Sequence, residues 1–183
     1  AAQADAILCS MDDPSIYGEE IYRIGFGEAV ERDLLTDYRV LILTLSDKDV
    51  PPAVQSVISD ENNEINSDDA SKLIGCINAL SKQVLGDGGV IKSSDPEPMK
   101  RAVAFCRTII ESKKITATFN TTTNTYLRSL PAEKQEQMVS VAAEHIDGTM
   151  TAPQRDELLG WLKSDFDNNE CRVLTNVRCL SEG

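Results

Sequence analysis

The alternation of short apolar segments with helical patterns is the feature that most constrains how this chain folds. Four segments have the length and the continuous apolar character of strands that are buried on both faces of a parallel sheet. They are residues 38–45, residues 101–106, a stretch within 140–146, and residues 171–175. Because strands that alternate with helices form parallel sheets with right-handed crossovers, the sequence predicts an α/β fold with helices on both faces.

Helical patterns lie between these predicted strands. Residues 17–35 predict a helix in spite of internal glycines, and a short helix is expected near residues 53–58. Another helix is predicted from residue 68 or 69 to about residue 85, because an aspartate can cap it and an apolar stripe runs along it. In sheets of this kind ligands bind at the carboxyl ends of the strands, so a ligand site is expected in the segments that follow the strands.

The last two predicted helices differ in how well their ends are defined. One begins near Arg107, but the threonine-rich segment 116–125 is a poor helix former, so the end of this helix stays open. The other has a clear start, because Thr151 and Gln154 have the spacing of a capping box. The sequence therefore locates the beginning of both helices and the end of neither.

The composition agrees with this fold class. Hydrophobic residues make up 41% of the chain but aromatic residues only 5%, so aliphatic side chains must fill the core, which favours α/β over a β-sandwich. No signal peptide or membrane-spanning pattern is recognisable. Five widely spaced cysteines are expected to be small buried hydrophobes in a reducing cytoplasm, and a single histidine makes a structural zinc site improbable. The start without methionine and the end directly after a strongly patterned segment predict a piece of a longer protein.

The charge distribution is uneven. A formal net charge of -12 argues against a broad basic surface for nucleic acid. A local basic strip nevertheless lies within residues 100–114, which contain five cations and one acid: Lys100, Arg101, Arg107, Glu111, Lys113 and Lys114. Charge alone leaves two interpretations of this strip open, a phosphate-binding surface and a solvated face.

Local motifs for catalysis are weak. The segment GDGGVIKS at residues 86–93 approaches a phosphate-binding loop, but Ile91 stands where a glycine is needed, and no strand precedes it. No acidic pair follows an apolar strand to hold magnesium beside a nucleotide. His145, at the end of a predicted strand, is expected to be a packing or hydrogen-bonded residue and not a catalytic base.

Three segments, in order, resemble conserved blocks of superfamily 2 helicases. RAVAFCRTI at 101–109 resembles motif IV, and HIDGTMTAPQRDELLGWLKS at 145–164 resembles the block that follows it. CRVLTNVRCLSEG at 171–183 resembles motif V. Upstream, YGEEIYRIGFGEAVERDLLTDYRVLIL at 17–43 is similar to the segment that leads into the second lobe of restriction-type helicases. The chain thus resembles most of the second lobe of a helicase related to the res subunits of restriction enzymes.

This resemblance implies a RecA-like parallel sheet that is incomplete at its C-terminus. Residues 1–36 would be a lobe-connecting helical segment and residues 37–183 the second lobe of an ATP-dependent helicase or translocase. ATP and magnesium would bind between this lobe and the first lobe of the same parent chain. DNA would be the partner, with RNA left open and no membrane involved.

The resemblance also implies site residues but no catalytic residue and no metal ligand in this chain. The expected nucleic-acid contacts are Cys106, Arg107, Thr108, Gly148, Arg155 and Arg178. The expected residues of the ATP cleft, in the motif V loop, are Thr175, Asn176, Ser181, Glu182 and Gly183. Since the phosphate loop and acidic pair of the first lobe are not in this sequence, the chain itself is expected not to hydrolyse ATP.

Some residues depart from the family pattern, and other functions stay open. Val177 lies where many relatives have threonine, and Ala152 where a glutamine often precedes the helix arginine. Arg155 could equally be a surface residue paired with Asp156 or Glu157. The alternative from another class is a non-catalytic α/β module whose acidic surface docks a protein partner. A small-molecule enzyme using the same strand ends is a weaker third possibility.

Overall fold

A computed structural model describes residues 13–38, 40–42, 50–58, 67–83, 97–166 and 169–178. The chain divides into two compact units, Ala1–Ile42 and Leu43–Gly183. The sequence-based boundary lies at 36/37, and the functional roles given to its two sides stay predictions. None of the helices found in these ranges is long and apolar enough to cross a membrane.

The first unit contains two short helices, α1 (Pro14–Tyr17) and α2 (Phe26–Glu31). The prediction of one helix over residues 17–35 is therefore wrong. The chain leaves helical geometry at Gly18, whose φ of 82° is readily adopted only by glycine, and α2 begins only after Gly25. The helical spacing of apolar residues is not enough to form one long helix here, because these residues have no core to pack against. In the described part of this unit Ala29 is the sole buried hydrophobic residue.

Three parallel strands form the sheet of the second unit: β1 (Arg101–Phe105), β2 (Ser140–Ile146) and β3 (Glu170–Asn176). Their spatial order is β1-β3-β2, so β3 is central. These strands confirm the predictions at 101–106, 140–146 and 171–175. In the predicted strand at 38–45, residues 38 and 40–42 are not in a strand, and residues 39 and 43–45 lie outside the described ranges.

Helices cover both faces of this sheet, as predicted. Helices α3 (Pro52–Ile58), α4 (Ser67–Leu80) and α5 (Ile109–Ser129) enclose a core with one face of the strands. On the opposite face, α7 (Ala152–Lys163) packs on Ile146 and Leu174. The short α6 (Ala132–Gln135) joins α5 to β2. The chain crosses from β1 to β2 in one direction and returns to β3, and right-handed crossovers then put α5 and α7 on opposite faces.

Two predicted helix ends needed correction or completion. Helix α4 ends at Leu80, before the predicted residue 85, and Lys82 follows in a left-handed conformation with φ of 55°. Helix α5 continues through the whole threonine-rich segment. Four of its threonines donate hydrogen bonds to carbonyls four residues earlier, as Thr118 does to Lys114. Thr118, Thr122 and Thr123 are buried. Tertiary packing thus overrides weak helix propensity.

Candidate nucleic-acid interface

All three strands end together at one edge of the sheet, which we call the carboxyl edge; the opposite edge is the amino edge. Asn176, the last residue of β3, is in register with Phe105 of β1 and Ile146 of β2. The Cys106 amide continues the ladder by donating to the Asn176 carbonyl at 2.8 Å. The segments that follow the strands therefore lie at the same edge, which is where parallel α/β sheets bind ligands. They contain the predicted site residues within the described ranges.

The first segment runs from Cys106 into α5. Thr108 caps the helix by accepting a hydrogen bond from the Glu111 amide at 3.1 Å. The side chain of Arg107 is 90% exposed and lies 3.5 Å from the Glu111 carboxylate. Partial desolvation raises the pKa of Glu111, but hydrogen bonds from Arg107 and Thr108 outweigh it and lower the pKa overall. The segment presents one exposed cation beside a helix N-terminus.

The second segment leads from β2 into α7. Gly148 is exposed, and Thr151 and Gln154 form the predicted capping box, in which the Thr151 amide donates to Gln154 Oε1 at 2.9 Å. Arg155 is half-buried in the first turn of α7. Across the described residues it forms no ion pair with its neighbours Asp156 or Glu157. The sequence-based alternative of such a pair is therefore not supported.

The third segment follows β3. The side chains of Thr175 and Asn176 have no exposed surface, so neither reaches solvent in this conformation. Asn176 Nδ2 donates to the Ala104 carbonyl at 3.1 Å, and its Oδ1 has no hydrogen-bond partner. Arg178 is exposed, with a left-handed φ of 57°. The predicted residues Ser181, Glu182 and Gly183 lie outside the described ranges.

Beneath these segments lies a buried polar network that the sequence analysis did not predict. Ser112 Oγ is 2.7 Å from His145 Nδ1, and His145 Nε2 is 2.8 Å from Asp147 Oδ2. Asp147 Oδ1 accepts from both the amide and the hydroxyl of Thr149, at 2.8 and 2.5 Å. Ser112 Oγ is also 2.8 Å from Thr175 Oγ1. His145 is thus a hydrogen-bonded strand-end residue, as the sequence suggests.

The order serine, histidine, aspartate resembles that of a hydrolase triad, but burial argues against that chemistry. Ser112 is 0% exposed, His145 8% and Asp147 1%, so no substrate carbonyl can approach the serine hydroxyl. The hydroxyl of Thr149, the ring of His145 and the amide of Thr149 hold the pKa of Asp147 far below its ordinary value, against the effect of burial. Asp147 is thus a charged hydrogen-bond acceptor inside a closed cluster, and the cluster has a structural role.

The predicted basic strip at 100–114 does not form one surface. Arg101 lies at the amino edge, where its guanidinium donates to the last carbonyls of α7, those of Leu162 and Lys163, at 2.8 and 3.0 Å. Lys114 pairs with Asp69 at 3.3 Å. Arg107 and Lys113, both exposed, remain near the carboxyl edge. The phosphate-binding interpretation therefore applies to only part of the strip.

Arg172 of β3 also points to the end of α7. Its guanidinium lies over the rings of Phe166 and Trp161, at 4.1 and 5.2 Å from their centroids. It donates to the Trp161 carbonyl and, at 2.7 Å, to Ser164 Oγ. Together with Arg101 it satisfies carbonyls that the helix itself leaves unpaired. Arg101 and Arg172 thus stabilise the fold at the amino edge.

The cysteines follow the prediction only in part. Cys171 is buried, and burial together with the charge of Glu170 raises the pKa of its thiol to about 12. Cys106 is half-exposed, and partial burial raises its pKa as well. Cys76 is exposed, so the expectation of burial was wrong there. Within the described ranges, no cluster of three or more histidine, cysteine, aspartate or glutamate side chains could hold a metal ion.

Comparison with known proteins finds similarity among solved structures. Neither protein-family profiles nor curated protein sequences match the chain. Among solved structures, the chain is similar to the ATP-dependent Type ISP restriction-modification enzyme LlaBIII bound to DNA, with 35% sequence identity and a TM-score of 0.78. The match covers 100% of this chain and 12% of that enzyme. It supports the predicted helicase-related fold, and the RecA-like α/β class is confirmed.

Proposed function

We propose that this chain is most of the second RecA-like lobe of an ATP-dependent DNA helicase or translocase. The similarity to an ATP-dependent, DNA-bound enzyme, at 35% identity over the whole chain, is the observation that carries the proposal. The chain spans only 12% of that enzyme, so activity would belong to a larger parent protein with a first lobe. In that parent, this lobe provides nucleic-acid contacts and one wall of the ATP cleft.

The carboxyl edge of the sheet is the nucleic-acid surface in this proposal. Arg107 and Arg178 are exposed beside strand ends, and Arg155 lies in the first turn of α7. Helix N-termini add amide donors for phosphate oxygens, here near Thr108 and Gly148. Such contacts hold the backbone of a strand without reading its sequence. The overall negative charge of the chain then limits binding to this edge.

The two buried residues of the proposed ATP cleft act differently from the exposed ones. Thr175 is hydrogen-bonded to α5, and Asn176 joins β3 to β1. We assign them to holding the motif V strand in place, where the loop after it, with Ser181, Glu182 and Gly183, would face the nucleotide. ATP and magnesium would be held mainly by the first lobe, which carries the phosphate loop in the proposed arrangement.

The test is binding of the purified chain to a fluorescein-labelled single-stranded oligonucleotide over a range of salt concentrations. Arg107→Ala and Arg155→Ala are each expected to weaken binding about fivefold and to lower the salt slope by about 1. Arg128→Ala is the matched control, since Arg128 is an exposed arginine in the last turn of α5, at the amino edge. Arg128→Ala removes the same charge outside the proposed nucleic-acid surface.

The outcomes separate the two classes of function. Equal losses for all three variants would mean that only net charge matters, and no binding by the wild-type chain would contradict the proposal. The latter result would favour the acidic docking module, whose partner should bind irrespective of Arg107 and Arg155. A DNA-stimulated ATPase activity of the purified chain would contradict the assignment of phosphate chemistry to the first lobe.

A further inference from the structure

The buried network at the carboxyl edge connects two segments that are far apart in sequence. Ser112 belongs to the first turn of α5, whereas His145 and Asp147 lie at the end of β2. Asp147 in turn holds the Thr149 amide, within the turn that leads to α7. The network therefore joins the start of one helix to the turn before another, through three side chains that are each at least nine-tenths buried.

The partners determine where the protons lie. The strongly lowered pKa of Asp147 keeps it ionised at neutral pH, so it can only accept hydrogen bonds. His145 Nε2, 2.8 Å away, must then carry a proton. Nδ1 of the same ring lies 2.7 Å from Ser112 Oγ. Side chains of two different segments therefore hold the two ring nitrogens.

Neighbouring hydroxyls extend the network. The Ser112 hydroxyl donates to Thr175 Oγ1 at 2.8 Å. The Thr116 hydroxyl lies 2.7 Å from Thr175 Oγ1 and donates to the Ser112 carbonyl at 2.9 Å. The central strand β3 is thereby included in the network. Fully satisfied buried networks of this kind fix a single arrangement of the elements that they join.

We propose that Ser112, His145 and Asp147 form a positioning network that fixes the turn before α7 relative to the start of α5. This inference rests on the proposed function. Arg107 precedes α5 and Arg155 lies in the first turn of α7, so the network sets the spacing at which both cations meet one phosphate backbone. The three residues touch no ligand themselves.

The position of Lys113 fits this role. Its ammonium group lies 3.8 Å from Asp147 Oδ2, although its side chain is largely exposed. A cation of α5 is therefore held over the carboxylate that also organises the turn at Thr149. Asp147 therefore positions both the exposed ammonium group of Lys113 and the turn at Thr149.

The first test removes only the serine hydroxyl. Ser112→Ala takes away the hydroxyl partner of His145 Nδ1 and leaves Asp147 and all exposed cations in place. Ser81→Ala is the matched control, because Ser81 is equally buried and its hydroxyl also bridges two elements, accepting from the Val139 amide at 3.0 Å. Val139 lies at the amino edge, just before β2, so this control should leave the carboxyl edge unchanged.

Two measurements read the result. His145 is the one histidine of the sequence, so ¹⁵N NMR of its ring reports the tautomer without overlap. Ser112→Ala should shift the Nδ1 resonance and speed hydrogen exchange of the Thr149 amide about tenfold, and the control should do neither. Ser112→Ala should also weaken oligonucleotide binding about fivefold, although all exposed cations are still present. If Ser112 only filled space in the core, its replacement would not selectively speed hydrogen exchange of the Thr149 amide.

A second variant guards against misfolding of the first. Asp147→Asn keeps the shape of the side chain but removes the charged acceptor of His145 Nε2. The ¹⁵N shifts of the two ring nitrogens should therefore change relative to wild type. An unchanged pattern in this variant would contradict the assigned network.

Each outcome decides the inference. Unchanged ring shifts and unchanged Thr149 exchange in Ser112→Ala would overturn it regardless of DNA binding. If the coupling appears but wild type and Ser112→Ala bind the oligonucleotide equally, the positioning role is overturned while the proposed function stands. If wild type binds no oligonucleotide, the proposed function fails first and the positioning role fails with it. Coupling together with selective weakening supports both.

Discussion

The two edges of the sheet use the same types of side chain for opposite purposes. At the amino edge, Arg101 and Arg172 lie against the end of α7 and cap its last carbonyls. At the carboxyl edge, Arg107 and Arg178 are exposed, and the inward groups are hydroxyls, an imidazole and a carboxylate. The position of an arginine relative to the two edges therefore decides whether a role in the fold or in binding is expected.

The network at the carboxyl edge should be the more sensitive to a single substitution. Asp147→Ala removes the acceptor of three donors, namely the ring of His145 and two groups of Thr149. The buried ring of His145 would be left without a partner, and the two bonds that order the exposed Thr149 would be lost. We therefore expect the free energy of unfolding to fall by roughly 3 kcal/mol. Urea denaturation measures this. Asp165→Ala, at an exposed acid of the amino edge, should change the free energy of unfolding by less than about 1 kcal/mol. Similar losses for both would contradict the comparison.

The amino edge should respond in stability but not in binding. Arg172→Ala removes the stacking on Phe166 and the donor to the Trp161 carbonyl of α7, which should cost about 3 kcal/mol. Arg107→Ala should cost under about 0.5 kcal/mol, because the Arg107 side chain is almost fully exposed. Thermal melts combined with oligonucleotide binding of the folded fraction give both values. Reduced affinity of folded Arg172→Ala would show that the edges are not functionally distinct.

Acid should weaken the carboxyl edge through Asp147. The pKa of Asp147 is lowered in the folded chain, so its contribution to stability is complete above the unfolded-state pKa of about 3.9 and is lost as pH falls below it. The difference in unfolding free energy between wild type and Asp147→Asn should therefore shrink as the pH falls below about 4. Urea titrations of both proteins between neutral and acid pH measure it. A difference that grows on acidification would have the wrong sign.

Local patterns in the sequence predicted much of this fold. The strands at β1, β2 and β3 were recognisable because each is an apolar run bounded by polar residues, and the start of α7 because a capping box is a local signal. The end of α5 could not be predicted, since it depends on threonines that are buried by the sheet. The same limit explains the false helix at 17–35, where the apolar spacing has almost nothing to pack against.

The candidate site was predictable only at its surface. Its exposed residues follow strand ends, which the pattern of strands locates. The buried network depends instead on the packing of α5 on β2, which brings Ser112 next to His145, 33 residues away in sequence. One available signal was the alternation of His145 and Asp147 at the end of a strand, two acid-base groups separated by a single residue. The separation of Arg101 from Arg107 also follows from β1, which carries them to opposite edges.

The central claim is that nucleic acid binds at the carboxyl edge and not at the amino edge. The most direct test is NMR mapping of backbone amides while the chain is titrated with a single-stranded oligonucleotide. We expect shift changes at residues 106–111, 147–155 and 177–178, with residues 97–101, 128–138 and 162–166 unchanged. Changes concentrated in the second set, or equal changes in both, would contradict the account.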